Sequence, residues 1–164
     1  MPMPIQRRLA AAAKYKPSTI QLLLVAEAPP CTLDRYFYFD SVDKQDSLFR
    51  YVWQGITGEH AGEREHKPIQ LAAFRDAGVF LIDLHEKNIS KPSPTILRAC
   101  VPDLIKRARA LNPEKIILIK ASVYDAAFTD LADAGLPVVD ERIPFPGSGQ
   151  QRKFLEAFTR ALAS

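Results

Sequence analysis

The sequence predicts one α/β domain, a three-layer α/β/α sandwich with a four-stranded parallel sheet. Three observations carry this. Four short runs rich in apolar and β-branched residues, Ile20–Val25, Val79–Leu84, Lys115–Ile119 and Val138–Ile143, are separated by segments with helical periodicity. No hairpin signal joins any two of them, so the strands must be parallel and covered on both faces. The chain has 164 residues, enough for one well-cored domain, and neither a linker nor an internal repeat divides it. The domain therefore spans residues 1–164, with 1–18 as an N-terminal helical extension.

In chain order, Gln6–Lys14 is amphipathic and too weakly hydrophobic for a signal peptide. Ile20–Val25 reads as a strand buried on both faces, and Ala26-Glu27-Ala28-Pro29-Pro30 ends it because two prolines cannot extend a ladder. A carboxylate is thereby left at the carboxyl end of a central strand, where open α/β sheets bind ligands. The same residues also read as a plain strand exit with a solvated Glu27. Cys31–Asp43 is a loop holding four consecutive aromatics, Tyr36 to Phe39, which a strand would send to alternate faces; half are expected in the core and half lining a pocket. Asp46–Gly55 has one apolar stripe of Leu48, Phe49, Val52 and Trp53, and predicts a helix stopped at Gly55 or Gly58.

His60–His66 is a polar surface loop whose histidine spacing matches no compact zinc motif. Pro68–Ala77 predicts a helix with proline in its first turn and Gly78 as its stop. Val79–Leu84 is the second strand, with Asp83 and His85 two residues apart at its end. Ser93-Pro94 opens a helix to about Leu111 that Pro102 kinks or restarts, and Asn112-Pro113 ends it. After the strand Lys115–Ile119, Ser122 is expected to cap a helix over Val123–Ala134. Val138–Ile143 is the fourth strand, and the Pro144–Arg152 loop leads into a final helix over Lys153–Ala163.

Composition limits the function classes. Apolar residues make up 47% and charged residues 25%, an ordinary globular balance. The net charge of +3 permits a nucleic-acid partner without arguing for one. Lys91–Lys120 holds seven basic residues against two acidic ones, which suits phosphates or a solvated helix face equally. Two distant cysteines, Cys31 and Cys100, point to a reducing compartment, hence a cytoplasmic protein, and are too few to hold an iron–sulfur cluster. No apolar run reaches membrane-spanning length, and no membrane partner or cofactor is expected. The P-loop, dinucleotide and serine-hydrolase signatures do not occur.

Three polar segments follow strands: Ala26–Pro30, Asp83–Asn88 and Pro144–Arg152. The last carries Gly147-Ser148-Gly149 at a helix start, with Gln150 and Arg152 beside it, a phosphate cradle by its exposed amides and positive dipole end.

From about Ile20 to Leu162 the chain resembles the uracil-DNA glycosylase superfamily. Ala26-Glu27-Ala28-Pro29-Pro30 is similar to the Gly-Glu-Ala-Pro-Gly motif of its iron–sulfur branch. Gly78–Asp83 is similar to the strand that ends on the family's base-reading residue. Cys100-Val101-Pro102-Asp103-Leu104 and Asn112–Ile117 follow that branch's next helix and strand, and Pro146–Arg152 stands where the family has its second motif. The chain departs from the pattern at Ala26, Pro30, Asp83 in place of asparagine, Lys120 in place of glycine and Phe145 in place of histidine, and it lacks the N-terminal cysteine pair of the cluster.

The resemblance implies a protein that recognises a base of single-stranded or damaged DNA, or of a nucleotide, with N-glycosidic hydrolysis in base-excision repair as its activity. Glu27 and Asp83 are then the expected catalytic residues. Ala28, Phe37, Phe39, Asp83 and His85 are expected at the base, and Gly147, Ser148, Gly149, Gln150 and Arg152 at the phosphates. An ionised Asp83 only accepts hydrogen bonds and would repel a uracil carbonyl, so little uracil release is expected. The alternative is a catalytically silent nucleotide- or nucleic-acid-binding module on the same fold; a purely structural partner protein fits the three converging polar segments less well.

Overall fold

The computed structural model describes residues 4–41 and 46–164. The start of the N-terminal extension and Asp43, the expected end of the aromatic loop, lie outside the described residues. The helices are α1 Pro4–Lys14, α2 Ser47–Thr57, α3 Lys67–Asp76, α4 Pro94–Ala99, α5 Val101–Leu111, α6 Ala121–Asp133 and α7 Gln151–Ala163. The strands are β1 Leu22–Ala26, β2 Val79–Asp83 and β3 Lys115–Leu118, and a 3-10 turn at Arg64–His66 interrupts the expected polar loop.

The sheet is parallel, in the order β2-β1-β3. Leu22 to Ala26 pair with Val79 to Asp83 on one side, and Leu22 to Val25 with Lys115 to Leu118 on the other. Every residue of β1 is buried, as its unbroken apolar sequence requires of a central strand covered on both faces. The helices pack in two groups, α2 on α7 and α4–α5 on α6.

Among the described residues the sheet has three strands rather than four. Residues 138–143 meet β3 only at Ile116–Val138 and Ile119–Ile143. Three residue steps on β3 therefore face five on the segment, so no common register exists. The amides of Val138 and Glu141 turn back to the carbonyls of Leu136 and Val139, two residues earlier, which removes them from any ladder.

Pro102 restarts the helix rather than kinking it: α4 ends at Ala99, Cys100 intervenes, and α5 begins at Val101. Ser122 does not cap α6. The helix starts at Ala121 after Lys120, and the Ser122 hydroxyl turns to Glu27. The aromatic run closes a turn, with the Phe39 amide donating to the Tyr36 carbonyl at 3.1 Å. A turn is free of strand alternation, so Tyr36, Phe37 and Tyr38 are all buried and only Phe39 is half-buried.

Candidate functional site

The chain leaves β1 toward β2 on one side and leaves β3 toward residues 138–143 on the other, which puts a topological switch point between β1 and β3. Ligand crevices in open parallel sheets form at such a point, outside the strand carboxyl ends. Here it is a cleft of about 280 Å³. Ala26 at the end of β1 and Glu27, Ala28 and Pro30 just after it line one side, and Ile119 and Lys120, just after β3, line the other. Asp46, Ser47 and Leu48 contribute from the start of α2, with Arg35 and Phe145 from the loops.

Glu27 is held from two directions. The Lys120 ammonium lies 3.0 Å from Oε1, and the Ser122 hydroxyl donates to Oε2. With only 14% of its side chain exposed, the carboxylate is fixed by charge-assisted bonds in a partly dry setting. Lys120 reaches it from a backbone at φ 83°, a conformation that glycine tolerates and L-residues adopt at a cost of order 1–3 kcal/mol. The same ammonium sits 5.7 Å from the centroid of the Phe145 ring, which is 40% exposed. That ring lies on the backbone of Gly147, where a Cβ would meet it at 3.3 Å.

Two buried ionisable residues beside the cleft were missed by sequence reasoning, Lys67 and the cleft-lining Asp46. Lys67 is fully buried; its Nζ donates to the Tyr36 carbonyl at 2.9 Å and lies 4.9 Å from the Phe49 ring centroid. Burial pulls its pKa down to about 8, against the attraction of Asp46 and Asp40. Burial likewise pushes Asp46 above the usual carboxylate range, while Lys67 and the Phe49 and Leu48 amides act the other way. The only sequence cue to Lys67 was its place just before Pro68 at a helix start.

Asp83 does not share the cleft with Glu27. Their backbones are neighbours, since Ala26 pairs with Asp83 and the His85 amide donates to the Glu27 carbonyl at 2.9 Å. Glu27, however, is one residue past the partner of Asp83, so the two side chains fall on alternate faces. Asp83 instead lines a second cavity, between α1, the free edge of β2 and α5. Its carboxyl is pushed up to about 7 by burial first and by Asp46 second, with Arg107 and Arg8 opposing.

The remaining expected site residues divide. Ala28 lines the cleft. Phe37 is 2% exposed and packed among Tyr38, Phe49 and Phe74, so no base can stack on it. Phe39 faces α1, with the Arg7 guanidinium over its ring and Tyr36 against its edge. The His85 Nδ1 donates to the Lys87 carbonyl, and the residue lines neither cavity. Gly147, Ser148, Gly149 and Gln150 form the turn next to Phe145, closed by the Gln150 amide on the Gly147 carbonyl at 3.0 Å. Ser148 and Gly149 both have positive φ. The side chain of Arg152 is 91% exposed and pairs with Glu156 on its own helix, pointing to solvent rather than into the cleft. Arg35, Asp46 and Ser122 were not expected at the site.

Among the described residues no group of three or more His, Cys, Asp or Glu side chains is placed to hold a metal ion, and no helix is long and apolar enough to cross a membrane. No protein-family model matches the chain, and no curated protein matches its sequence.

Proposed function

We propose that the cleft between β1 and β3 binds a nucleobase, carried by a nucleotide or by a single strand of DNA, on a fold like that of the uracil-DNA glycosylases. The observation that carries this reading is Phe145, an exposed ring seated on Gly147 with a cation over it and Arg35 lining the same cleft. Bases stack on such rings whatever their sequence, with about 1–3 kcal/mol per base, while nearby cations hold the backbone. On this reading the Ser148 and Gly149 amides and the first turn of α7 meet an adjoining phosphate, the Gly147 and Gln150 amides being taken by the Phe145 and Gly147 carbonyls.

Anisotropy titration of a labelled single-stranded oligonucleotide tests the reading. Phe145→Ala should weaken binding about tenfold, in line with one lost stacking contact. Equal affinity of the variant and the wild type would remove the proposal's support.

Base excision is a second reading, favoured by Glu27. A carboxylate has about four acceptor sites, so one held by Lys120 and Ser122 can still take a water molecule and offset positive charge developing on a sugar. Against it, the expected base reader Asp83 lies outside the cleft and Phe145 offers no polar group to a leaving base. Uracil-containing single- and double-stranded oligonucleotides, incubated with the protein and then treated with alkali, should show binding without strand scission. Scission that Glu27→Gln abolishes would establish the hydrolytic reading instead.

A further inference from the structure

The second cavity has a volume of about 330 Å³, near the low end of the roughly 300–1,000 Å³ typical of small-molecule sites. Leu9 and Ala12 of α1, Phe80 and Ile82 of β2 and Leu111 of α5 make its walls largely apolar. Two buried charged side chains interrupt them. Arg8 is 4% exposed; its Nη2 donates to Asn88 at 3.3 Å, but its Nη1 is buried with no hydrogen-bond partner. Asp83 is 9% exposed and, among the described residues, its carboxyl makes neither a hydrogen bond nor an ion pair within 4.0 Å. Arg107 makes no ion pair with it; its Nε donates to the Asp103 carboxylate and its Nη1 and Nη2 to the carbonyls of Asp83 and Leu84.

A guanidinium keeps its charge at any physiological pH, and a buried donor left unpaired is costly. An acceptor between Arg8 and Asp83 would remove that cost. Three cations line the cavity, Arg8, Lys16 and Arg107, against two acids, Asp83 and Glu86, leaving one positive charge in excess. We infer that this cavity binds a small monocarboxylate with an apolar body, its head group seated between Arg8 and Asp83 and its body against the apolar walls.

The carboxylate accepts from the Arg8 Nη1, and a protonated Asp83 donates its O–H to the ligand's other oxygen. Two carboxyl groups this close hold one proton between them. Binding therefore takes up a proton where Asp83 is otherwise ionised, and tightens as the pH falls. The charged and titratable groups facing Asp83 are Arg8 from α1, Arg107 from α5, Glu86 after β2, Asp46 before α2 and Tyr36 of the aromatic turn. None of the other four carboxyl, phenol or guanidinium partners supplies the missing acceptor to Arg8. The site is separate from the β1–β3 cleft and does not rest on the nucleobase reading.

Titration of the isotope-labelled full chain with hexanoate, followed by amide chemical shifts, tests the inference. Saturable shifts are expected at Arg8, Ala12, Phe80 and Ala110, with a Kd at about pH 6 roughly tenfold lower than at about pH 8, where hexanoate is ionised at both. Hexanamide, of the same shape without the charge, should bind at least tenfold more weakly, and inorganic phosphate should leave these amides unmoved. Arg8→Ala should abolish saturation. Should that variant fail to fold, Asp83→Asn decides, because it keeps a donor beside the ligand and should bind with no pH dependence. Hexanamide binding as tightly as hexanoate, a wild-type Kd independent of pH, or no saturable shift at these residues would each overturn the inference.

Discussion

Lys67 and Asp83 place ionisable groups where water scarcely reaches, and each ties stability to pH with its own sign. The folded pKa of Lys67, about 8, lies below its ordinary 10.5, so between these values the unfolded chain binds the extra proton and stability rises with pH. The folded pKa of Asp83, about 7, lies above its ordinary 3.8. Its contribution is therefore complete below about pH 4 and is lost as the pH rises through 7; the upward displacement of Asp46 acts in the same sense. A tenfold change in proton affinity is worth about 1.4 kcal/mol, so each ramp is a few kcal/mol high. Urea denaturation at a series of pH values should show the alkaline ramp disappear in Lys67→Met and the fall between about pH 4 and 7 shrink in Asp83→Asn. Ramps unchanged in the variants would mean that other groups carry them. At Lys120 two effects can be separated. Lys120→Ala loses the Glu27 pair but keeps the positive φ, whereas Lys120→Gly loses the pair and relieves the backbone. The glycine variant should be the more stable of the two by about 1 kcal/mol, by thermal or urea unfolding.

The helices and strands follow from local signals, and most were legible. The apolar stripe Leu48, Phe49 and Val52 is the buried face of α2, Gly58 closes that helix in a left-handed conformation, and Pro68 and Pro94 sit in first turns. Residues 138–143 misled because Val138, Val139 and Ile143 have strand character, while the charges between them are anchored elsewhere. Asp140 takes the Tyr124 hydroxyl, Arg142 pairs with Asp125 and Arg160 with Glu141. Those anchors lie on α6 and α7, far away in sequence, so no local pattern announces them. The site was legible at Glu27 and Ala28, which a strand end and two prolines fix. It was not legible at Asp83, because which face a residue takes depends on register against another strand rather than on its own neighbours. Gly55 is a further contact invisible in sequence: a Cβ there would fall 2.4 Å from the Phe158 ring, so α2 and α7 approach as closely as they do only without one. Gly55→Ala should cost about 1–3 kcal/mol despite its better helix propensity, seen as a lower urea midpoint.

Across the whole molecule, the sheet closes its two sides by means other than further strands. On the β2 side, the Leu81 amide donates to the hydroxyl of Tyr38 at 2.7 Å; Tyr38 is fully buried, and Tyr15, just beyond α1, stacks against it. On the β3 side, the Ile116 amide is taken by the Pro137 carbonyl, and an irregular segment lies across the rest. Unpaired strand edges act as templates onto which other chains add; here the tyrosine plug takes one edge amide of β2, and the mis-stepped segment lies along β3. Protection against aggregation is thus concentrated in single side chains. Removing the Tyr38 oxygen strands a buried amide, at a cost of about 1–3 kcal/mol, and loosens the seal on β2 at the same stroke. On heating, Tyr38→Phe should scatter light in a concentration-dependent way while its helical dichroism is still largely intact, with the wild type remaining clear to a higher temperature.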